Sequence, residues 1–320
     1  MNLLEKSILA TLVYYDILDR PLTSWEVFKY LIRIKNIKLN EVLDILENSS
    51  KLNKLISQKN GFYFLKNRQA IIKKRIKRHK IADRKWKKAK RAIKLFQMIP
   101  FVRMVAVSGS LAMNNTRENS DIDLLIVTKT GRIWTCRGLI TIFSHLIGKR
   151  RHGVLTKDRF CLNHYLTEKS LKIPYKSLYN AQTYAHLMLF WQSKNDLYKR
   201  FQKANQWVSE YLTFYPIIQK GYLREIKSNY FFKDIRELKE FVLNGAIGNF
   251  TEFILKKIQQ ARIKKDPLTY QSGGRVVFSD NQLEFHPNSP EKWILEKYNQ
   301  KMKKLGFEKL GNENDSGLIP

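Results

Sequence analysis

Cysteine is scarce in this chain. Only two cysteines, Cys136 and Cys161, occur among 320 residues, and they form no C-x-x-C pair. This excludes a small disulfide-stapled fold and a cysteine-rich zinc site, and it favours reduced thiols in a cytoplasmic protein.

Long hydrophobic runs are also missing. The nearest one, residues 138–148, is too short to span a bilayer and is interrupted by polar residues. The first residues carry Glu5 and Lys6 among apolar ones, which predicts an amphipathic helix rather than a signal peptide. We therefore expect no membrane partner, and the predicted location is the cytoplasm.

Acidic residues are few relative to basic ones. The chain has 28 acidic and 59 basic residues, which gives a formal net charge of +31. Such an excess favours a polyanionic partner, nucleic acid before membrane. A uniformly lysine-rich proteome would produce the same excess, so the interpretation depends on how the charge is clustered.

The most informative stretch is residues 105–128. An apolar run ending at Val107 predicts a buried strand, and a second apolar run after Asp123 predicts another. Alternate residues of a strand point to one face, so the carboxylates of Asp121 and Asp123 are expected side by side. Such a pair repels itself unless a cation lies between the groups, and hard oxygen ligands suit Mg²⁺ or Mn²⁺.

The turn between the two strands could hold a phosphate. Gly109 lets the backbone approach a phosphate closely, and amides at the start of the following helical piece can receive it. A strand, a Gly-Ser turn and a D-x-D strand together predict a site for a metal ion and a triphosphate.

The pattern G-S-x-A followed by S-D-I-D resembles the signature of the DNA polymerase β-like nucleotidyltransferase superfamily, in its minimal bacterial form. The matching residues are Gly109, Ser110, Ala112, Ser120, Asp121 and Asp123. The resemblance implies a mixed sheet flanked by helices, with Asp121 and Asp123 as catalytic residues that hold two divalent metal ions. It implies nucleotide binding by Gly109, Ser110 and Ser120. The implied reaction moves a nucleoside monophosphate from a nucleoside triphosphate to an acceptor hydroxyl and releases pyrophosphate.

A third carboxylate usually completes this site in the superfamily, on a following strand. The strand predicted over residues 160–166 carries Asn163 instead, and an amide is a poor base and a poor metal ligand. Asp158 and Glu168 bracket this strand, and either is a candidate substitute. An alternative function therefore stays open, a catalytically inactive sensor or scaffold that binds nucleotide or nucleic acid with the same fold.

A strongly basic segment, residues 66–94, precedes the first motif strand, and Asp83 is its only acid. Apolar residues at helical spacing predict an amphipathic helix here, in one piece or in two. Its polar face, on which Lys85 is also expected to face water, predicts a track for an RNA or DNA backbone. The residues assigned to this track are Lys73, Lys74, Arg75, Lys77, Arg78, Lys87, Lys88 and Arg91.

The N-terminal region resembles a winged helix-turn-helix domain. Three helical patterns, the second beginning at a Thr23–Glu26 capping box, are followed by a hairpin signal at Asn60-Gly61. The third helix carries Glu41, Asp44 and Glu47 on one face, which disfavours contact with DNA phosphates. A structural or protein-contact role is therefore favoured for this region.

Together these patterns predict an α+β protein in three parts. Residues 1–67 form the winged-helix-like domain, residues 68–170 the mixed-sheet nucleotidyltransferase core with its basic leading helix, and residues 171–310 a mostly helical domain. Aromatic residues over 175–215 are assigned to a helical core, and residues 275–285 to a hairpin. Residues 311–320 are predicted to be a disordered tail.

Overall fold

The structure is a computed structural model that describes residues 1–216, 224–308 and 310–319. The helices in these ranges are α1 (Leu3–Ile17), α2 (Ser24–Lys29), α3 (Leu39–Asn48), α4 (Ile71–Lys94), α5 (Gly109–Ala112), α6 (Ile133–Leu146), α7 (Leu178–Ala185), α8 (Leu197–Ala204), α9 (Tyr230–Val242), α10 (Ala246–Lys265) and α11 (Glu291–Lys304). The strands are β1 (Leu22–Thr23), β2 (Ile56–Lys59), β3 (Phe62–Leu65), β4 (Val102–Val107), β5 (Ile122–Thr128), β6 (Phe160–Thr167), β7 (Met188–Gln192), β8 (Arg275–Phe278) and β9 (Gln282–His286). Within the described ranges, none of the helices has both the length and the apolar content needed to cross a bilayer.

The N-terminal region has the predicted order of three helices and a hairpin. Asn2 caps α1 and Thr23 caps α2, each through a capping box with the glutamate three residues later. Asn60 and Gly61 have φ angles of 53° and 75°, which the tight turn between β2 and β3 requires. Strand β1 joins this hairpin in a sheet of order β1-β3-β2. The winged-helix resemblance itself stays a prediction.

Helix α4 connects this region to the rest of the chain as one unbroken helix of 24 residues. At its start, Ile71 and Ile72 pack with Phe64 of β3. Farther along, Trp86 and Ile93 belong to the apolar core of the central sheet. The prediction of an amphipathic helix is confirmed, and it forms in one piece.

The central sheet has six strands in the order β7-β4-β5-β6-β9-β8. Strands β5 and β6 run parallel, and the other neighbouring pairs are antiparallel. The region predicted to be mostly helical therefore supplies three of the six strands. The assignment of residues 188–192 to the helical core is wrong, because this short apolar run is β7, paired with β4. Periodicity alone cannot separate a short buried strand from a buried helical segment.

The sheet separates two apolar cores. Leu125 and Val127 of β5 lie in the core shared with α1, α7 and α11, whereas Leu124 and Ile126 lie in the core shared with α4 and α6. Because side chains alternate along a strand, Asp123 lies on the same face as Leu125. The first core combines residues from all three predicted parts of the chain, so these parts pack as one body around it.

Buried charges attach the C-terminal part to the sheet. The Arg275 guanidinium on β8 donates to Glu284 of β9 at 2.8 Å and to Glu291 of α11 at 2.9 Å. All three side chains are almost fully buried. Since each buried charge has an opposite partner, removing one would leave an uncompensated charge in the core.

Residues 311–319 differ from the predicted disordered tail. The Glu313 carboxylate pairs with Arg33 at 2.7 Å, and the backbones of Ile319 and Gly274 bond at 2.7 Å. These contacts join residues that are far apart in the chain, which is why a local composition of small and polar residues did not reveal them. Pro320 lies outside the described residues.

Candidate active site

Asp121 and Asp123 meet where β5 begins. Asp121 precedes the strand and Asp123 is its second residue. One oxygen of each carboxylate and the Sγ of Cys161 lie within 4.8 Å of one another. The structure thus brings the two predicted carboxylates together and adds a cysteine that the sequence prediction missed.

Cys161, rather than Asn163, lies directly opposite Asp123 in the parallel pairing of β5 and β6. A shift in register follows this pair, and the Asn163 amide nitrogen lies 3.2 Å from Nδ1 of His286 on β9. The sequence placed the third position at Asn163 because the pairing register of the two strands cannot be read from one strand alone.

Neither candidate substitute for the third carboxylate belongs to this cluster. The Asp158 carboxylate binds Lys85 at 2.8 Å and Lys88 at 2.6 Å. Glu168 follows the far end of β6, where its backbone N–H bonds to Thr128 at the end of β5. Among the described residues, the acidic members of the site are therefore Asp121 and Asp123.

An arginine lies against the carboxylate pair. Arg151 donates through Nη1 to Asp121 Oδ2 at 2.5 Å and to Cys161 Sγ at 3.3 Å. Burial, followed by the charge of Asp123, raises the pKa of the Cys161 thiol far above its usual range. Cys161 is therefore a neutral thiol in this setting, and the negative charge of the site belongs to the aspartates.

Gly109 is held tightly against Asp123. Its φ is +65°, and a Cβ added there would overlap Asp123 Oδ2. The backbone N–H of Ser108 also bonds to the carbonyl oxygen of Asp123 at 3.0 Å. The glycine of the motif is thus required by two independent features, the left-handed backbone and the contact with a candidate metal ligand.

The loop before β5 is tied down by Lys85, which the sequence analysis placed among solvent-facing charges. Lys85 is only 2% exposed, and its ammonium donates to the Ser120 carbonyl at 2.7 Å as well as to Asp158. The Ser120 hydroxyl accepts the N–H of Arg117 at 3.2 Å. Lys85 lies four residues after Ile81 and four before Ala89, on the apolar stripe of α4. That position was the available signal that it is buried.

The remaining predicted phosphate ligand, Ser110, lies beside Gly109 in α5. It is partly exposed, and its carbonyl accepts the N–H of Asn115 at 2.8 Å. Helix α5 is only four residues long, so its backbone acts as a turn that carries Ser110 rather than as a long helix with a strong dipole.

The predicted nucleic-acid track on α4 is only partly available. Arg75 is buried and pairs with Glu26 at 2.7 Å, and Arg78 donates to the Leu18 carbonyl at 2.9 Å, so their placement on the solvent face is wrong. Lys74 and Lys88 are exposed but form ion pairs with Asp19 and Asp158, respectively. The other four predicted residues are exposed, namely Lys73, Lys77, Lys87 and Arg91. The remaining four residues of the track bind acidic side chains or a carbonyl group of the protein itself, because α4 bridges two parts of the protein.

The carboxylate pair fits a divalent cation. Two hard oxygen donors lie within reach of one ion, and burial raises the free energy of the charged pair. Arg151 offsets part of this charge from one side. Asp121 and Asp123 are therefore the residues that could hold a metal such as Mg²⁺ or Mn²⁺.

The pKa of Asp123 leads to a prediction about stability. Burial, followed by the negative charge of Asp121, raises this pKa from 3.8 to about 7. A carboxyl group whose pKa is raised on folding stabilises the fold while protonated, and this contribution is lost as the pH rises through about 7. We therefore compare the metal-free wild type with Asp123→Asn. From about pH 5 to about pH 8, the free energy of unfolding of the wild type should decrease by on the order of 2 kcal/mol relative to that of the variant.

Urea unfolding of both proteins at the two pH values, with a chelator present, measures this difference. The exposed Asp196→Asn should follow the wild type. A constant difference between wild type and Asp123→Asn across this range would contradict the raised pKa.

One comparison with known proteins found a match. Residues 87–229 match the family model described as a nucleotidyltransferase domain, a span that includes β4, β5, β6 and β7. No curated protein and no solved structure matches the chain significantly. The matched span contains Gly109, both aspartates and Cys161.

Proposed function

We propose that this chain, which carries a nucleotidyltransferase domain over residues 87–229, moves a nucleoside monophosphate from a nucleoside triphosphate to a hydroxyl group of RNA with the help of a divalent metal ion. One observation carries the proposal. Within that domain the two aspartate carboxylates converge within 4.8 Å, and Gly109 is packed against one of them. The convergence of these residues in space supports the function more strongly than their occurrence in a sequence motif does.

In this proposal, Asp121 and Asp123 hold the metal, and the Gly109-Ser110 turn contacts the terminal phosphates. Mg²⁺ or Mn²⁺ would supply neutralisation of the charge that develops on the phosphate oxygens. Arg151 is the cation that contacts the carboxylates in this structure, and its five N–H donors suit a phosphate once a metal takes over that contact. Lys85 acts at a distance by fixing the Ser120 carbonyl and so the start of β5.

The reaction requires a bond between the acceptor oxygen and the α-phosphorus, and it breaks the bond from that phosphorus to the oxygen bridging to the β-phosphate. Pyrophosphate leaves, and the acceptor hydroxyl loses a proton. Cys161 is a protonated thiol and cannot take this proton. The proposal therefore implies a transfer rate limited by the missing third carboxylate.

RNA as the acceptor is supported by the exposed part of α4. Besides the four exposed residues of the predicted track, Lys80, Lys90 and Lys94 are exposed on the same helix. A helix of this length extends for about 36 Å and presents its cations to a polyanion. A net charge of +31 adds attraction over a longer range.

The test is incubation of the purified protein with each α-labelled nucleoside triphosphate in turn, Mg²⁺ or Mn²⁺, and separate pools of RNA, DNA and protein. We expect label in RNA and release of pyrophosphate. Label in protein or DNA alone would reject the acceptor and keep the chemistry. No incorporation with any combination, despite nucleotide binding, would reject transfer.

A second function is favoured by one observation, the cysteine in the place opposite Asp123. A protein with two carboxylates and no base could bind a metal–nucleotide complex without transferring it. Restoring the third carboxylate distinguishes this sensor function from the transfer reaction.

The variant Cys161→Asp is expected to raise the rate of label transfer by on the order of 100-fold, because a positioned base contributes at least about that much. Asn163→Asp is the matched control, since the same group two residues away lies beside His286 instead. Transfer by neither wild type nor Cys161→Asp, with nucleotide bound by both, would favour the sensor. An active wild type that gains nothing would place the base elsewhere.

A further inference from the structure

Helices α9 and α10 expose an unusual amount of apolar surface. Phe241 is 80% exposed, Phe250 68% and Phe231 67%, and Leu238, Ile254 and Ile258 are also exposed. We call the exposed apolar side chains of α9 and α10 the hairpin face. A few exposed apolar residues are normal for a protein, but this many on two consecutive helices mark a contact surface.

The spacing shows that the hairpin face is an organised stripe. On α9, Phe231, Leu238 and Val242 recur at intervals of seven and four residues, and on α10, Phe250, Ile254 and Ile258 recur at intervals of four. These intervals place each set on one side of its helix. Both helices are therefore amphipathic with an apolar side that the described part of the chain leaves exposed.

The opposite sides of the two helices are fixed to the core by polar contacts. On α9, the Glu240 carboxylate binds Arg103 of β4 at 2.7 Å and 2.8 Å. On α10, the Glu252 carboxylate accepts the backbone N–H groups of Trp134 and Thr135 at 3.0 Å and 2.8 Å, which caps α6. Rotating either helix to bury its apolar side would break these bonds, so the hairpin face stays outward.

The connection between the helices is also tight. A Cβ at Gly248 would overlap the backbone of Leu243, at the end of α9. The glycine therefore allows α10 to begin directly beside the end of α9.

The charge around the hairpin face indicates its partner. Residues 230–265 contain eight basic and four acidic residues, a net charge of +4. Glu240 and Glu252 are the anchors, Arg236 is buried beside Glu240, and Lys256 pairs with Asp280. Lys257 lies 5.4 Å from the Phe253 ring, and Lys264 and Lys265 end α10. Aromatic and aliphatic side chains bordered by lysines are typical of helices that lie in the interface of an anionic membrane.

We propose that the α9–α10 hairpin docks the protein, parallel to the bilayer, on a membrane surface rich in anionic phospholipid. A second copy of the chain is the less suitable occupant, because it would bring another net charge of +31 to the same place. The prediction of no membrane partner rested on the lack of a spanning segment, and a helix in the interface plane needs none. This inference goes beyond the proposed transfer reaction.

The test is flotation of the full-length protein with vesicles of phosphatidylcholine alone or mixed with phosphatidylglycerol, near physiological salt. The variant Leu238→Ser/Phe250→Ser/Ile254→Ser removes apolar surface and keeps the net charge. Leu3→Ser/Trp25→Ser is the control, since both residues are exposed on helices elsewhere. The wild type and the control should bind the anionic vesicles, and the hairpin variant should bind at least about tenfold more weakly.

Equal binding of the three proteins would show that bulk charge alone attracts the chain, and would overturn the proposal, as would no binding by the wild type. Light scattering without lipid gives a further outcome. A wild-type dimer that becomes a monomer in the hairpin variant would assign the hairpin face to a second copy. Nucleotide binding without lipid should be the same in all three proteins, so a failure of the docking proposal is separable from a failure of the transfer reaction.

Discussion

Replacing Asp121 and Asp123 together by asparagine is expected to lower the rate of metal-dependent nucleotide transfer by at least about a thousandfold. The two carboxylates are the acidic groups of the cluster at the start of β5, and their amide counterparts neither attract a divalent cation nor neutralise its charge. The loss should appear in the turnover rate and in the Mg²⁺ concentration needed for nucleotide binding. Label incorporation and binding titrations measure the two effects separately.

Unfolding does not provide an alternative cause of that loss. Removing two neighbouring negative charges from a partly buried site relieves repulsion, so the metal-free variant should be at least as stable as the wild type. Asp44→Asn/Asp196→Asn is the matched control, because both of these aspartates are exposed and lie outside the cluster. Transfer that persists in Asp121→Asn/Asp123→Asn would remove these residues from the mechanism.

The variant Gly109→Ala is expected to lower transfer by at least about a hundredfold and to lower stability by about 1–3 kcal/mol. The new methyl group would overlap Asp123 Oδ2, so either the turn or the carboxylate must move. A displacement of a fraction of an ångström at a metal ligand is costly because the transition state requires fixed geometry.

Gly131→Ala separates the two causes of this effect. Gly131 has a φ of +75°, as unfavourable for alanine as the φ of Gly109, yet a Cβ there would meet nothing within 4 Å. We expect Gly131→Ala to lose about 1 kcal/mol of stability from its backbone and to keep its transfer rate. If both variants lose transfer equally, backbone strain rather than the contact with Asp123 is responsible.

Several local features could be predicted from the sequence because they depend on residues close together in the chain. The capping box at Thr23, the turn at Asn60-Gly61 and the basic helix α4 follow from spacing, and the structure contains all of them. The hairpin of β8 and β9 was also found, but its addition to the central sheet was not. Short-range rules describe an element and not its neighbours.

In the candidate site, too, the features that depend on nearby residues were predicted and those that depend on distant residues were not. The pairing of Asp121 with Asp123 required only the alternation of a strand, and the glycine of the turn was identified from the motif. Cys161 was missed because its place opposite Asp123 depends on the register between two strands separated by α6. The burial of Lys85 and Arg75 and the bond of Arg78 to the Leu18 carbonyl were missed because the acceptors lie elsewhere in the chain.

The amino-acid sequence by itself determined the capped helices, the two hairpins and the chemistry of the carboxylate pair, since these arise from contacts within a few residues. Tertiary structure alone decided which charges of α4 remain free, which residue completes the site and which helical faces stay exposed. The hairpin face is the clearest case, because an amphipathic pattern indicates that one side of a helix seeks apolar contact. Only the anchors at Glu240 and Glu252 decide that this side points away from the protein's own core.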